Sequence, residues 1–330
     1  MRSFIKEPNV LYYMGKFPYE LIQRSSLVRK EAASKFGIKP EERKTEELIS
    51  YGIVVINKPR GPTSHQTAEY VKKILGIEKS GHSGTLDPHV TGMLPVALGR
   101  GTRIAQALLP AGKEYIAVMY LHQPVHEDDI RKVMSEFVRK IWQKPPVKSA
   151  VRRVERQREI YYIDIMEIEG QDVLFRVGCE AGTYIRKLIH DIGQKLGCGA
   201  HMAELIRTRV AAFDESTMFT LQDLADAFSY YKQGNDKFIR KIIQPVENAV
   251  RHLPKVYVFE ATIESLLHGR YLGVPGISKV ESGINKNDLV AMMTLKGELI
   301  GLGYAVMTSE EMVKKDNGIA VKTDKVFMKA

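Results

Sequence analysis

The hydrophobic positions of this 330-residue chain follow two periods, and the points where one gives way to the other predict its elements. In YGIVVINKPRGPTSH, the apolar run from Gly52 to Ile56 predicts a strand and KPRGPTS a turn, with Ser64 as N-cap of a helix from His65 to Leu75. RIAQALLPA has helical potential, and KEYIAVMYL predicts a strand. EDDIRKVMSEFVRKIW predicts one helix, acidic at its start and basic later, as the helix dipole prefers. YYIDIMEIEGQDVLFRVGCEAG predicts two strands joined at EGQD, and YIRKLIHDIGQKLG a helix with glycine near its end. Around QPVENAVRHLPKV the pattern becomes short, strand-like and rich in glycine turns, which predicts a small, mostly β module of about 75 residues. Strands and helices mix without a regular βαβ rhythm, so the fold class is α+β. Residues 1–50 precede this as a charged, Pro-interrupted extension with one helical-looking stretch.

Composition narrows the class. Hydrophobic residues make up 44% and charged residues 27%, the mix of a soluble globular protein. No run approaches the roughly 18 apolar residues of a membrane helix. The first twenty residues lack the apolar region of a secretory signal. Two cysteines, Cys179 and Cys198, argue for a reducing compartment over a disulfide scaffold, and Cys198 with His201 supplies two ligands where structural zinc takes four. Lys plus Arg number 49 against 39 acids, a net charge of +10. That excess favours a polyanionic partner over a merely solubilising surface, without separating nucleic acid from an anionic membrane.

The candidate chemistry lies beside turns. HSGTLDPHVTGMLP carries one carboxylate, Asp87, which either closes its own turn or is presented to a substrate. Tyr115 follows GK at a strand start, and Tyr184 and Arg186 follow EAGT. LGRGTR lacks the full dinucleotide fingerprint, and no P-loop, G-x-S-x-G or H-E-x-x-H occurs, so no cofactor and no metal is expected. KIWQKPPVKSAVRRVERQRE crowds Lys140, Lys144, Lys148, Arg152, Arg153, Arg156 and Arg158 around a Pro-Pro turn. It reads as a basic loop for a phosphate backbone with Trp142 as a stacking aromatic, or as a solvated hairpin with Trp142 buried.

Six segments in order, GIVVINKPRGPTSH, GHSGTLDPHVTGMLPVALG, GKEYIAVM, QKPPVKSAVR, CEAGTYIRKLIHDIG and AHMAELIRTRVAAF, closely resemble the TruB-type pseudouridine synthases, in particular the archaeal dyskerin-like branch that works in box H/ACA ribonucleoproteins. The resemblance implies a pseudouridine synthase catalytic fold over 51–250 with a mixed, mainly antiparallel sheet and a thumb loop about 141–158. It implies a C-terminal PUA domain over 251–330 and an N-terminal extension over 1–50 packed on that domain. It assigns catalysis to Asp87, with Arg186 orienting it and Tyr115 stacking on the base. His82 would occupy the space of the extruded nucleotide, Tyr184 and Leu205 would line the pocket, and Lys58 would support the fold. Lys144, Lys148, Arg152 and Arg153 would bind RNA, Lys148 standing where bacterial relatives commonly have tyrosine. No cofactor is implied. The implied partners are H/ACA guide RNA, ribosomal and transfer RNA, a small zinc-ribbon protein, a Gar-related β-barrel protein and a kink-turn-binding ribosomal-type protein, in a cytoplasm and away from membranes. The reaction moves uracil from N1 to C5 attachment. Attack at ribose C1′ and addition at C6 both suit a carboxylate, and the C5 proton can leave to Asp87 or Tyr115. Two other readings stay open: a stand-alone synthase for uridine 55 of transfer RNA, and a non-catalytic RNA scaffold. Residues 251–330 are further expected to be a separable fold.

Overall fold

Two sheets organise the chain in a computed structural model that describes residues 15–33, 35–145 and 152–329. The larger has nine strands. Across it run Gln244–Pro245, Gly52–Lys58, Thr91–Leu98, Ala200–Val210, Lys113–Leu121, Asp172–Cys179, Arg156–Glu169 and Lys140–Gln143, and Ser80–His82 pairs on Thr91–Leu98. Only Thr91–Leu98 against Ala200–Val210 is parallel, so the sheet is mixed and mainly antiparallel, as expected. The second sheet has seven strands, six of them from residue 255 onward and one, Ser26–Val28, from the N-terminal segment.

The strands are where period-two runs predicted them: Lys113–Leu121 alternates, and Arg156–Glu169 and Asp172–Cys179 meet at a two-residue turn closed by Gly170. Two expectations change. The helix after KPRGPT is capped by Thr63, not Ser64; Thr63 and Gln66 form a reciprocal capping box, and Ser64 is the first helical residue. The chain after Glu127 is helical only to Ser135, and Lys140–Gln143 is an edge strand. Ile141 and Gln143 are buried there while Lys140 and Trp142 face out, a period too short to read in sequence until a partner strand selects it. RIAQALLPA is helical as read, a 3-10 turn to Ile104 followed by the short helix Ala105–Leu108.

The N-terminal segment straddles both sheets. Ser26–Val28 adds to the seven-stranded sheet against Lys279–Glu281. Residues 15–21 lie instead on the nine-stranded sheet, where buried Phe17 packs on Tyr161 and Tyr162 and the Arg209 guanidinium sits 4.5 Å over its ring. The two sheets share one apolar cluster: Ile53, Val55 and Val210 join Val246, Val250, Met293, Leu299 and Leu302. Arg43, 2% exposed, pairs bidentately with Glu247 at 2.8 Å and reaches Glu298 at 3.5 Å across the same junction. The module after residue 251 is thus folded against the rest of the chain through a continuous core. Among the described residues no helix is long and apolar enough to cross a membrane.

Candidate active site

Asp87 stands between two buried anchors. Leu86 and Val90 enter the apolar cluster that also holds Tyr115 and Ile185, so the loop between them cannot swing freely. The Asp87 carbonyl accepts the Val90 N–H at 3.0 Å, closing a turn with Pro88 in its second position, where a fixed φ is favoured. The side chain does something else. Its carboxylate accepts from the Arg186 guanidinium, which comes from the first turn of the helix Ile185–Lys195. Both side chains are more than half exposed, 55% and 56%. An ion pair so open adds little stability, so its effect is to aim the carboxylate at an accessible face.

The loop is held from beneath by polar groups that are buried. Ser64 Oγ accepts the Leu86 N–H at 2.8 Å and donates to the Leu86 carbonyl at 3.2 Å. Lys58 is fully buried at the end of strand Gly52–Lys58 and donates to the carbonyls of Pro59 at 2.8 Å and Pro88 at 3.3 Å. Burial lowers its pKa, and the nearby Asp87 charge opposes that shift. The loop leaves into strand Thr91–Leu98 at Gly92, which must be glycine: its φ is +100°, and a Cβ would lie 2.3 Å from the Arg207 carbonyl.

Tyr115 is buried opposite Arg207 in the register of neighbouring strands, and burial raises its hydroxyl pKa. Leu205, half-buried two residues away and opposite Ala117, packs on the same cluster as Tyr115. Tyr184 caps the helix that begins at Ile185. Its backbone N–H donates to Gln143 Oε1 at 2.9 Å and its carbonyl accepts from Gln143 Nε2 at 3.2 Å. His82 enters the loop from strand Ser80–His82, and burial lowers its pKa. A cavity of about 410 Å³ lies on its far side, lined by His65, Lys72, Lys79 and Thr102 among others, and does not include Asp87.

The basic candidates are elsewhere. Lys144 and Arg152 are exposed on the hairpin formed by Lys140–Gln143 and Arg156–Glu169 at the sheet edge, and Arg153 Nε donates to Pro145 O at 3.3 Å. Lys148 lies outside the described residues. Trp142 is 62% exposed, which removes the buried-tryptophan reading of this hairpin. His201 contacts His122 at 3.0 Å, and no three His, Cys, Asp or Glu side chains converge as a metal site among the described residues.

Three residues that hold this arrangement in place escaped sequence reasoning. Ser64 was visible only as a cap. Gln143, buried in an edge strand, ties the hairpin to Tyr184. Arg207 is buried in LIRTRV, where alternation places it on the face of Leu205 but its charge reads as solvated. It meets Tyr115 in the same register in which Leu205 meets Ala117, and the bulge at Thr208 lies beyond it.

Known proteins resemble this chain over most of its length. Residues 72–185 match the profile of the TruB family pseudouridylate synthase N-terminal domain, and residues 186–251 that of the tRNA pseudouridylate synthase B C-terminal domain. Residues 254–327 match the PUA domain and residues 15–68 the DKCLD (NUC011) domain. The chain is 54% identical over 312 residues to a probable tRNA pseudouridine synthase B of Pyrococcus abyssi, covering 93% of each chain. It is 56% identical to that of Thermococcus kodakarensis, covering 93% of this chain and 92% of the relative. Among solved structures it resembles a chain of a Cbf5-Nop10-Gar1 complex at 53% identity and TM-score 0.90, covering 94% of this chain and 96% of that one. A chain from an H/ACA ribonucleoprotein bound to a substrate RNA containing 2′-deoxyuridine follows at 51% identity and TM-score 0.88, covering 95% and 97%.

Proposed function

The chain belongs to the TruB family of pseudouridylate synthases, and from that membership we propose that it isomerises uridine in ribosomal RNA selected by a box H/ACA guide, and uridine 55 of transfer RNA without one. The observation that carries the proposal is the Asp87–Arg186 pair, aimed outward from a loop that buried groups hold still. A solvent-facing carboxylate on a rigid mount suits attack on a substrate better than it suits stabilising a fold.

Asp87 acts on the ribose C1′ or the C6 of uracil while the N1–C1′ bond breaks and the base detaches from the ribose. The base turns, C5 bonds to C1′, the C5 proton leaves and N1 gains one, so electrons balance without a redox partner. Arg186 holds the carboxylate aimed at the pocket face. The Tyr115 ring stacks on the extruded base, with Tyr184 and Leu205 completing the walls and His82 filling the vacated stack. Lys58 keeps the turn in place. Lys144, Lys148, Arg152 and Arg153 grip the phosphate backbone, and the +10 net charge supports that attraction.

On this reading residues 51–250 are the catalytic region, 251–330 bind the guide, and 1–50 brace the two. The partners are the guide RNA, a small zinc-ribbon protein and a Gar-related β-barrel protein, which correspond to the components named for the similar complexes, together with a kink-turn-binding ribosomal-type protein. An archaeal cytoplasm is the setting that two unbridged cysteines suit.

Tritium release from C5-labelled uridine tests the substrate choice. Ribosomal RNA should give product only with guide and partner proteins present, and transfer RNA should give product from the chain alone. Ribosomal product without guide would contradict the guided reading, and product confined to transfer RNA would favour the stand-alone synthase.

A further inference from the structure

The face of the large sheet opposite Tyr115 carries a polar row. Tyr162, Gly178, Glu114 and Arg209 are register neighbours on four adjacent strands. The Tyr162 ring lies over Gly178, where a Cβ would come within 2.2 Å of it, and its hydroxyl donates to Glu114 Oε2 at 2.6 Å. Thr208 Oγ1 donates to Glu114 Oε1 at 2.7 Å, and Arg176 Nε stands 3.9 Å from the same carboxylate. Glu114 and Thr208 are both buried. The N-terminal segment closes the row from outside. A Cβ at Gly15 would lie 2.3 Å from the Tyr162 ring, and Glu20 pairs with Arg209 at 2.5 Å.

This row sits at a break in strand pairing. Glu114 faces Arg209 and Tyr115 faces Arg207, so Thr208 is the extra residue of a bulge in strand Ala200–Val210. The extra residue decides which side chains share the Tyr115 face. Continued without it, the Glu114–Arg209 register would set Tyr115 against Thr208 and Ala117 against Ile206, and a one-residue slip sends Arg207 and Leu205 to the other face. Burying a carboxylate is costly, and apolar side chains would fill the same space at less expense. What the Glu114 carboxylate adds is direction: it accepts the Thr208 and Tyr162 hydroxyls and so fixes the bulged residue against the strand that carries Tyr115.

We propose that Glu114 and Thr208 are positioning residues, whose buried hydrogen bond holds the bulge that sets Tyr115 and Leu205 on one face as walls of the uracil pocket. Neither touches the substrate; both act through the strand register. The inference rests on Tyr115 and Leu205 serving as those walls in the isomerisation.

The test is single-turnover tritium release by the reconstituted complex in excess over RNA, which separates the rate constant from the fraction of protein that is folded. Thr208→Val keeps the side-chain shape and removes the hydroxyl. It should lower the rate constant about 10-fold at full amplitude, with RNA affinity held within about 2-fold, because misplaced pocket walls slow the chemistry rather than the binding. Thr208→Ser restores the hydroxyl and should recover most of that loss. In a Leu205→Ala background Thr208→Val should cost clearly less, since the wall it holds is already gone. Lost amplitude with an unchanged rate constant, a serine variant as slow as the valine one, or the full cost in the Leu205→Ala background would overturn the inference. If the unsubstituted complex makes no product, or Leu205→Ala alone has no effect, the functional reading fails instead. Amide exchange then still decides whether Thr208 holds the register: it should rise across residues 113–117 in Thr208→Val and stay unchanged in the C-terminal sheet, and an unchanged 113–117 segment would overturn the lock itself.

Discussion

The Ser64 hydroxyl grips Leu86 by both backbone groups, so a single side-chain oxygen decides how firmly the Asp87 turn is mounted on its helix. In Ser64→Ala the Leu86 N–H stays buried with no acceptor, which costs about 2 kcal/mol. Urea unfolding should show that loss with the helix retained; a change below about 0.5 kcal/mol would mean another acceptor is available. At this scale Asp87 was legible, because a lone carboxylate among small and apolar residues before proline stands out. Whether it served its turn or a substrate was not, since that depends on Arg186, ninety-nine residues away. Arg207 was illegible for a related reason. In LIRTRV a buried cation and a solvated one look alike, and only the pairing of Arg207 with Tyr115 settles which way the side chain points.

At the scale of elements, pairing gives the basic hairpin its character. The Lys140–Gln143 and Arg156–Glu169 hairpin sits at the sheet edge, where one strand face is uncovered, and Trp142 with Lys140 and Lys144 occupies that face. Replacing Lys144, Lys148 and Arg152 together by alanine should weaken RNA binding and reduce the salt slope of log K by about 2, three lost phosphate contacts at roughly 0.7 each for single strands. An unchanged slope from a salt titration would mark these charges as solvated surface. Most strands were legible here because their alternation is long. The Lys140–Gln143 strand was not, since four residues carry too little period to outweigh a preceding helix signal.

At the scale of the molecule, the shared core couples what the sequence reads as separate modules. The glycine-rich β pattern after residue 254 was visible, but nothing in it reveals that Met293 and Leu299 pack with Ile53 and Val55. His252 lies at this junction, buried, with the Tyr19 ring edge-on at 6.0 Å and Nδ1 without a partner. Burial, helped by the Lys255 charge, pushes its pKa down to about 4 from 6.5. The unfolded chain therefore takes up a proton as pH falls through 6.5, and the folded chain does not until about 4. Stability supplied by neutral His252 is present above pH 6.5 and is lost on acidification, by about 2 kcal/mol between pH 7 and pH 5. His252→Gln should remove that part of the pH dependence in urea midpoints. An identical slope in both proteins would place the acid sensitivity elsewhere.

The central claim is that Asp87 performs the isomerisation and Arg186 aims it. The measurement that tests it most directly is C5-tritium release by the reconstituted complex containing Asp87→Asn, with RNA affinity measured on the same preparation. The account predicts release lost to background and affinity unchanged, because the amide keeps the turn and removes only the charge. Release at the unsubstituted rate from a folded, RNA-bound Asp87→Asn protein would contradict it and return Asp87 to the role of a turn residue.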